Sequence, residues 1–158
     1  MSWLGDQFRQ WRTQINLDSI ESRFAELVVH HPKSRRKTPR KSVALLVKRI
    51  IRQAVCDNAA AINLFYDNED QCLRAVEYIK TPEGSWISRE FAPAPGYIAG
   101  RVFDEIRRHT GVQAGRLEGA IDYCYRKQVR MARVRWESAT EFRIYFSDEH
   151  PDMRNKGV

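Results

Sequence analysis

Arg126, Lys127, Arg130, Arg133 and Arg135 crowd into one short stretch of chain, interleaved with Tyr123, Tyr125 and Trp136. Cations that follow phosphates and rings that stack on bases are what single-stranded nucleic-acid binders present on an exposed sheet. Strand alternation divides the set. Arg133 and Arg135 share a face with Val129 and Met131, whereas Arg130 shares the other with Ala132, Val134 and Trp136. Edge arginines whose alkyl stems lie over a protein contact are the alternative. A second basic feature is the run Lys33, Arg35, Arg36, Lys37, Arg40 and Lys41, which holds no acid and is bracketed by prolines at 32 and 39. It reads as a solvated linker or as an electrostatic clamp on acidic lipid, nucleic acid or an acidic protein surface.

Nucleotide hydrolysis needs a glycine-rich loop followed by lysine and serine or threonine, and none of the eight glycines stands in that arrangement. Gly96 and Gly100 fall in a helical stretch, where close packing explains them. His30 and His31 are adjacent and would point apart on a helix, His109 ends a helix, and His150 sits in the C-terminal tail. Cys56, Cys72 and Cys124 form no CxxC and read as buried thiols of a reducing cytosol. A Cys124–His109 couple lacks an orienting third group. Asp67, Glu69 and Asp70 read as turn residues, and Asp104 and Glu105 as a solvent face. No catalytic residue, metal ligand or cofactor is expected, and the chain reads as a binding protein, not an enzyme.

The 158 residues are 42% hydrophobic and 30% charged, which suits a globular domain with a real core. No apolar run is long enough to span a membrane, and the first residues lack the basic-then-apolar order of a secretory signal, so a cytoplasmic location is expected. The net charge of +7 is uneven: residues 1–32 carry −1, residues 33–41 carry +6, and the remainder +2.

Trp3, Leu4, Phe8, Trp11 and Ile15, then Leu17, Ile20, Phe24, Leu27 and Val28, repeat with helical spacing. They predict two short amphipathic helices or one bent helix over 3–29, with Asp18 and Ser19 capping the second. The stripe carrying Trp3, Phe8 and Trp11 would dock on its own domain or in a partner's groove. Ser42 is expected to cap a helix whose inner face is Val43, Leu46, Val47, Ile50, Ile51 and Ala54, stopped by Asp57 and Asn58. Ala60–Tyr66 and Gln71–Ile79 predict a hairpin, and Ser85–Arg89 a third short strand. Phe91–Gly96 breaks the sheet, and a second helix follows with Ile98, Val102, Phe103 and Ile106 inward and Gly111 beyond its end. Ala120–Tyr125, Val129–Trp136 and Glu141–Phe146 predict a meander. The expected fold is α+β: two helices packed on an antiparallel sheet in the order α-β-β-(β)-α-β-β-β, preceded by an N-terminal amphipathic helical segment. The organisation is a helical segment over 1–31, a basic linker over 32–42, a domain over 43–147 and a flexible tail over 148–158.

The stretch Leu45–Val55, followed by Asn58–Ile79, resembles the second N-terminal domain of type II secretion and type IV pilus assembly ATPases. There, a helix ending in a small-residue turn leads into a hairpin whose second strand carries an arginine between apolar residues, the place of Arg74. Tyr97–Val112 is similar to that family's next helix. Gln113–Gly119, with Arg116, takes the place of its arginine- and glycine-containing loop, and Leu117-Glu118-Gly119-Ala120 stands where the family has proline-glutamine-aspartate-glycine. The resemblance covers about residues 43–147 and leaves out the catalytic domain with its phosphate loop. It implies a stand-alone, non-enzymatic interaction module, an accessory or regulatory subunit of a secretion or pilus-type assembly. Arg74 and Arg116, with Trp3, Phe8 and Trp11, would meet the partner, and a homo-oligomer is open. The alternative is a small basic nucleic-acid-binding protein using Lys33–Lys41 and the Arg126–Arg135 hairpin.

Overall fold

Periodicity places the first helix correctly but not its start. The computed structural model describes residues 14–18, 40–110 and 117–153, and α1 runs over Arg40–Cys56. Val43, Val47, Ile51 and Ala54 fall on one stripe and are buried, while Arg49, Arg52 and Gln53 face solvent. Ser42 is therefore inside the helix, not its cap; it is buried and its hydroxyl has no hydrogen-bond partner. Starting earlier lets the carbonyls of Arg40 and Lys41 receive the amides of the first core turn, so the last residues of the expected linker belong to α1. The helix stops at Asn58, as expected. Its φ of 56° lets Ala59 N–H bond the Ala54 carbonyl at 2.8 Å and Asn58 N–H the Val55 carbonyl at 3.1 Å.

The chain then forms β2 (Ala61–Asp67), β3 (Cys72–Lys80) and β4 (Trp86–Glu90), and a second helix, α2 (Ala99–Thr110), entered through a 3₁₀ turn at Gly96–Ile98. A meander of β6 (Glu118–Tyr125), β7 (Gln128–Ser138) and β8 (Glu141–Tyr145) closes the domain. The order helix-strand-strand-strand thus occurs twice. Pairing of β8 with β2, Ile62 opposite Ile144 and Leu64 opposite Phe142, fuses both halves into one sheet. With the short β1 (Ile15–Asn16) at one edge, its path is β1-β6-β7-β8-β2-β3-β4, antiparallel throughout except for β1. The α+β class and the two-helix, one-sheet architecture follow from these pairings.

Two short strands were not visible in the sequence pattern. Phe91–Gly96 does not simply leave the sheet: within it β5 (Ala94–Pro95) pairs with Leu73 and Cys72 of β3. β1 lies parallel to β6, with Ile15 opposite Tyr123, and Ile15 and Leu17 enter the core. The chain is extended at this point, so one continuous bent helix through 3–29 does not form, and residues 15–18 pack against their own domain. The expected helices on either side lie outside the described residues.

The helix that Asp18 is expected to cap lies outside the described residues; within them its carboxylate serves the β6–β7 turn. Its Oδ1 accepts the Arg126 amide at 2.8 Å and its Oδ2 the Lys127 amide at 3.1 Å. Arg126 and Lys127 form the two-residue turn between β6 and β7, with φ of 51° and 61°. Such turns match the twist of a hairpin but favour Asn-Gly, because side-chain-bearing residues resist positive φ. The carboxylate at this turn holds the strained pair. The amides of Lys127 and then Arg126 hold the Asp18 carboxyl below its ordinary value of 3.8. A group so lowered contributes stability above 3.8 that is lost as pH falls through its folded value. Asp18→Ala is expected to lower the thermal midpoint at neutral pH, with the deficit shrinking in acid. Asn-Gly in place of Arg126-Lys127 should restore it, and unchanged melting of Asp18→Ala would refute the role.

Candidate interaction surface

Both helices pack on one face of the sheet. Phe103 of α2 meets Trp136 edge-on at 6.5 Å and Phe142 at 5.3 Å, and Arg107 lies over the Trp136 ring at 4.4 Å. Alternation turns Val129, Met131, Arg133 and Arg135 of β7 to the other face. There Val129 is 69% and Met131 53% exposed. Arg133 stands over the Tyr145 ring at 5.4 Å, and Arg135 Nε is 3.3 Å from Glu137. On β8, opposite Arg135, Arg143 is largely buried, with Glu137 at 3.4 Å and Glu141 at 3.6 Å.

Part of this face is covered by the C-terminal segment, so residues 148–153 are not a loose tail. Met153 is 3% exposed yet lies apart from the helix-side core, and its carbonyl accepts a hydrogen bond from Arg143 at 3.1 Å. His150 packs on Tyr145 at 4.5 Å, Asp148 is 3.8 Å from Arg133, and Glu149 is paired with Lys80. Ala61 and Asn63 of β2 are buried although they lie on the face away from the helices.

The basic hairpin is split as its alternation required. Arg126 and Lys127 are exposed at the turn, Arg133 and Arg135 reach the open face, and Arg130, paired across from Tyr123, turns to the helix side. There Arg130 borders a cleft of about 200 Å³ with Tyr123, Lys80, Trp86, Phe146 and Glu149. The five cations therefore do not form one track for a polyanion. Lys41 borders a separate groove of about 390 Å³ between α1, α2 and β1, shared with Lys48, Glu105, Arg108 and His109. Glu105, expected at the surface, is buried, with its carboxylate 3.2 Å from His109 one helical turn on.

Arg74 is engaged within its own chain. Its Nε donates to Asp67 at 2.7 Å, and its two terminal nitrogens donate to Asp70 and Glu90. This network ties the β2–β3 turn to β4, and its first effect on Asp67 is to hold that carboxyl below the ordinary range. Three of the five guanidinium N–H donors are thus engaged by carboxylates of the same chain. Trp3, Phe8, Trp11, Lys33, Arg35, Arg36, Lys37 and Arg116 lie outside the described residues, as do Gly111 and the side chain of Arg40.

Sequence reasoning missed Glu77. It is fully buried on the helix side of β3, between Leu73-Ala75 and Ile79 in the alternation, and its carboxyl is pushed up to about 8. Burial is the main cause; a hydrogen bond and negative charge from Asp57 add to it, and Arg89 opposes. The signal was a carboxylate in the apolar register of a strand. Among the described residues, no three histidine, cysteine or acidic side chains gather closely enough to hold a metal ion, and no helix is long and apolar enough to cross a membrane.

Compared with known proteins, the chain matches no family model and no curated protein. The open face must therefore be read from its own chemistry.

Proposed function

We infer that the chain is a non-enzymatic protein-interaction module. The observation that carries this reading is the pair Val129 and Met131, exposed beside Arg133 and Arg135 on the sheet face that the helices leave open. Large apolar side chains rimmed by arginine are the composition of a protein contact, where a few such residues carry most of the affinity. A nucleic-acid platform instead places rings among the cations. Of the rings beside these arginines, Tyr123 and Trp136 are buried on the helix side, and Tyr145, under Arg133, is covered by His150. The resemblance adds a partner class, a secretion or pilus-type assembly ATPase, and with it a cytoplasmic setting. In that assembly Trp3, Phe8 and Trp11 supply a second point of attachment.

The test is affinity purification of the full chain from its own cells at about 0.1 and 0.5 M salt, beside Val129→Glu and Met131→Glu. A defined protein partner retained at both salt concentrations and lost from both variants supports the reading. Recovery of nucleic acid that collapses at the higher salt, untouched by the two substitutions, replaces it with the polyanion alternative.

A further inference from the structure

The chain's own acidic C-terminal stretch already lies on the open face and along its edge. Asp148 meets Arg133, Glu149 meets Lys80 at the sheet edge, His150 packs tilted on Tyr145, and Met153 is buried with its carbonyl on Arg143. Two acids pair with two cations of the body, and one apolar side chain anchors the far end. The tail's ion pairs to the sheet, Asp148 with Arg133 and Glu149 with Lys80, are made by exposed acids. Such contacts are individually weak, since exposed ion pairs contribute little.

Beneath the tail the fit is incomplete. Asn63 on β2 is 4% exposed, and its Oδ1 has no hydrogen-bond partner. Arg143, its direct cross-strand neighbour on β8, leaves Nε unpartnered, while its terminal nitrogens reach Glu137, Glu141 and the Met153 carbonyl. Buried donors and acceptors are ordinarily paired, and leaving one unpaired costs more than a typical hydrogen bond gains. An acceptor and a donor therefore sit on adjacent strands under a cover that does not use them. An extended backbone supplies alternating N–H and C=O groups of the kind this row lacks.

We propose that this face is a binding groove for an extended, acidic segment of a partner protein, and that residues 148–153 occupy it in cis until that segment displaces them. The inference rests on the interaction-module reading and names both the partner's chemistry and the contact that regulates access. Arg133 and Lys80, the cations that the tail's acids meet, select acidic residues. The polar row at Asn63 and Arg143 receives the backbone, and the position of Met153 receives an apolar anchor. Because the tail is tethered, its effective concentration is on the order of millimolar, so a free peptide of the same sequence competes poorly with it.

The probe is a fluorescent peptide of residues 147–158, titrated by anisotropy into the full chain and into Met153→Asp, which removes the tail's anchor. Asp148→Asn/Glu149→Asn, which removes only exposed ion pairs, serves as a second loosened chain should Met153→Asp fail to fold. The peptide is expected to bind a loosened chain at least about tenfold more tightly than the wild type. Adding Arg133→Glu to the loosened chain should reverse the gain, and an oligoglutamate peptide carrying one methionine should compete. Equal binding to wild type and loosened chains, or no binding to a folded loosened chain, overturns the proposal. Competition by a single-stranded oligonucleotide but not by the acidic peptide overturns it in favour of a nucleic-acid groove. The outcome is separable from the broader reading: if Met131→Glu still loses its protein partner while the tail peptide fails, only the groove and its cis occupant are discarded.

Discussion

Glu77→Gln is expected to abolish a decline in stability that the wild type shows as pH rises from about 4.5 to about 8. The carboxyl has an ordinary value of 4.5 in an unfolded chain and about 8 in the fold, so between these limits the native state holds a proton that the unfolded state has lost. Its contribution is complete below about 4.5 and disappears as pH climbs through about 8. Each tenfold change in proton affinity is worth about 1.4 kcal/mol, so the decline from pH 5 to 9 is on the order of a few kcal/mol. Glutamine keeps the shape and cannot ionise, so its denaturation midpoint should stay level where that of the wild type falls. At pH 9 the variant should be the more stable of the two. Asp57→Asn removes the charge and hydrogen bond that add to the effect of burial, so it should reduce the decline without abolishing it. Asp57 is itself held low, first by its hydrogen bond with Glu77, and its contribution is lost in acid, in the opposite direction. Urea titrations of the three proteins at intervals from pH 6 to 9 provide the check. Parallel wild-type and Glu77→Gln curves would mean that Glu77 is ionised within the fold.

The same residue shows where sequence patterns stop being informative. The apolar stripe of α1, the β2–β3 hairpin and the β6–β8 meander were legible because period and alternation are local properties, and Leu73, Ala75 and Ile121 are buried as that alternation requires. Boundaries were less so: Ser42 has the chemistry of a cap but lies within α1, because nothing local reports where the first carbonyl acceptors begin. β1 and β5 have two residues each and exist only through their partners in β6 and β3, so no period could announce them. Asp18 illustrates the same limit, since its acceptors are taken by amides more than a hundred residues away. On the candidate surface, alternation correctly divided Arg130 from Arg133 and Arg135. It could not show that Arg74 would be spent on Asp67, Asp70 and Glu90, nor that a polar tail would bury Met153.

Gly96→Ala is expected to be among the most damaging single-methyl additions in the chain. Gly96 opens the 3₁₀ turn leading into α2, where the backbone passes directly over the β2–β3 turn. A Cβ there would lie 2.8 Å from the Gln71 carbonyl carbon, closer still to its oxygen, and 2.8 Å from Cε2 of Tyr66. The ring could rotate away, but the carbonyl belongs to backbone. Gln71 itself has φ of 49° at the end of the β2–β3 turn, so the turn has little freedom to yield. Relief requires the start of α2 to lift from β3, breaking the β5 pairing of Ala94 and Pro95 with Leu73 and Cys72. Overpacking against backbone costs roughly 1–3 kcal/mol, here toward the upper end, a fall approaching about 10 °C in the melting midpoint for a chain of this size. Gly100→Ala is the internal control. A Cβ at that position meets nothing within 4 Å, and alanine in a helix is favoured over glycine by roughly 0.5–1 kcal/mol, so this variant should melt slightly higher. Differential scanning calorimetry of both variants checks the pair. If Gly96→Ala melts with the wild type, then α2 does not enter the fold through this contact, and the glycine at position 96 owes nothing to the approach of Gln71.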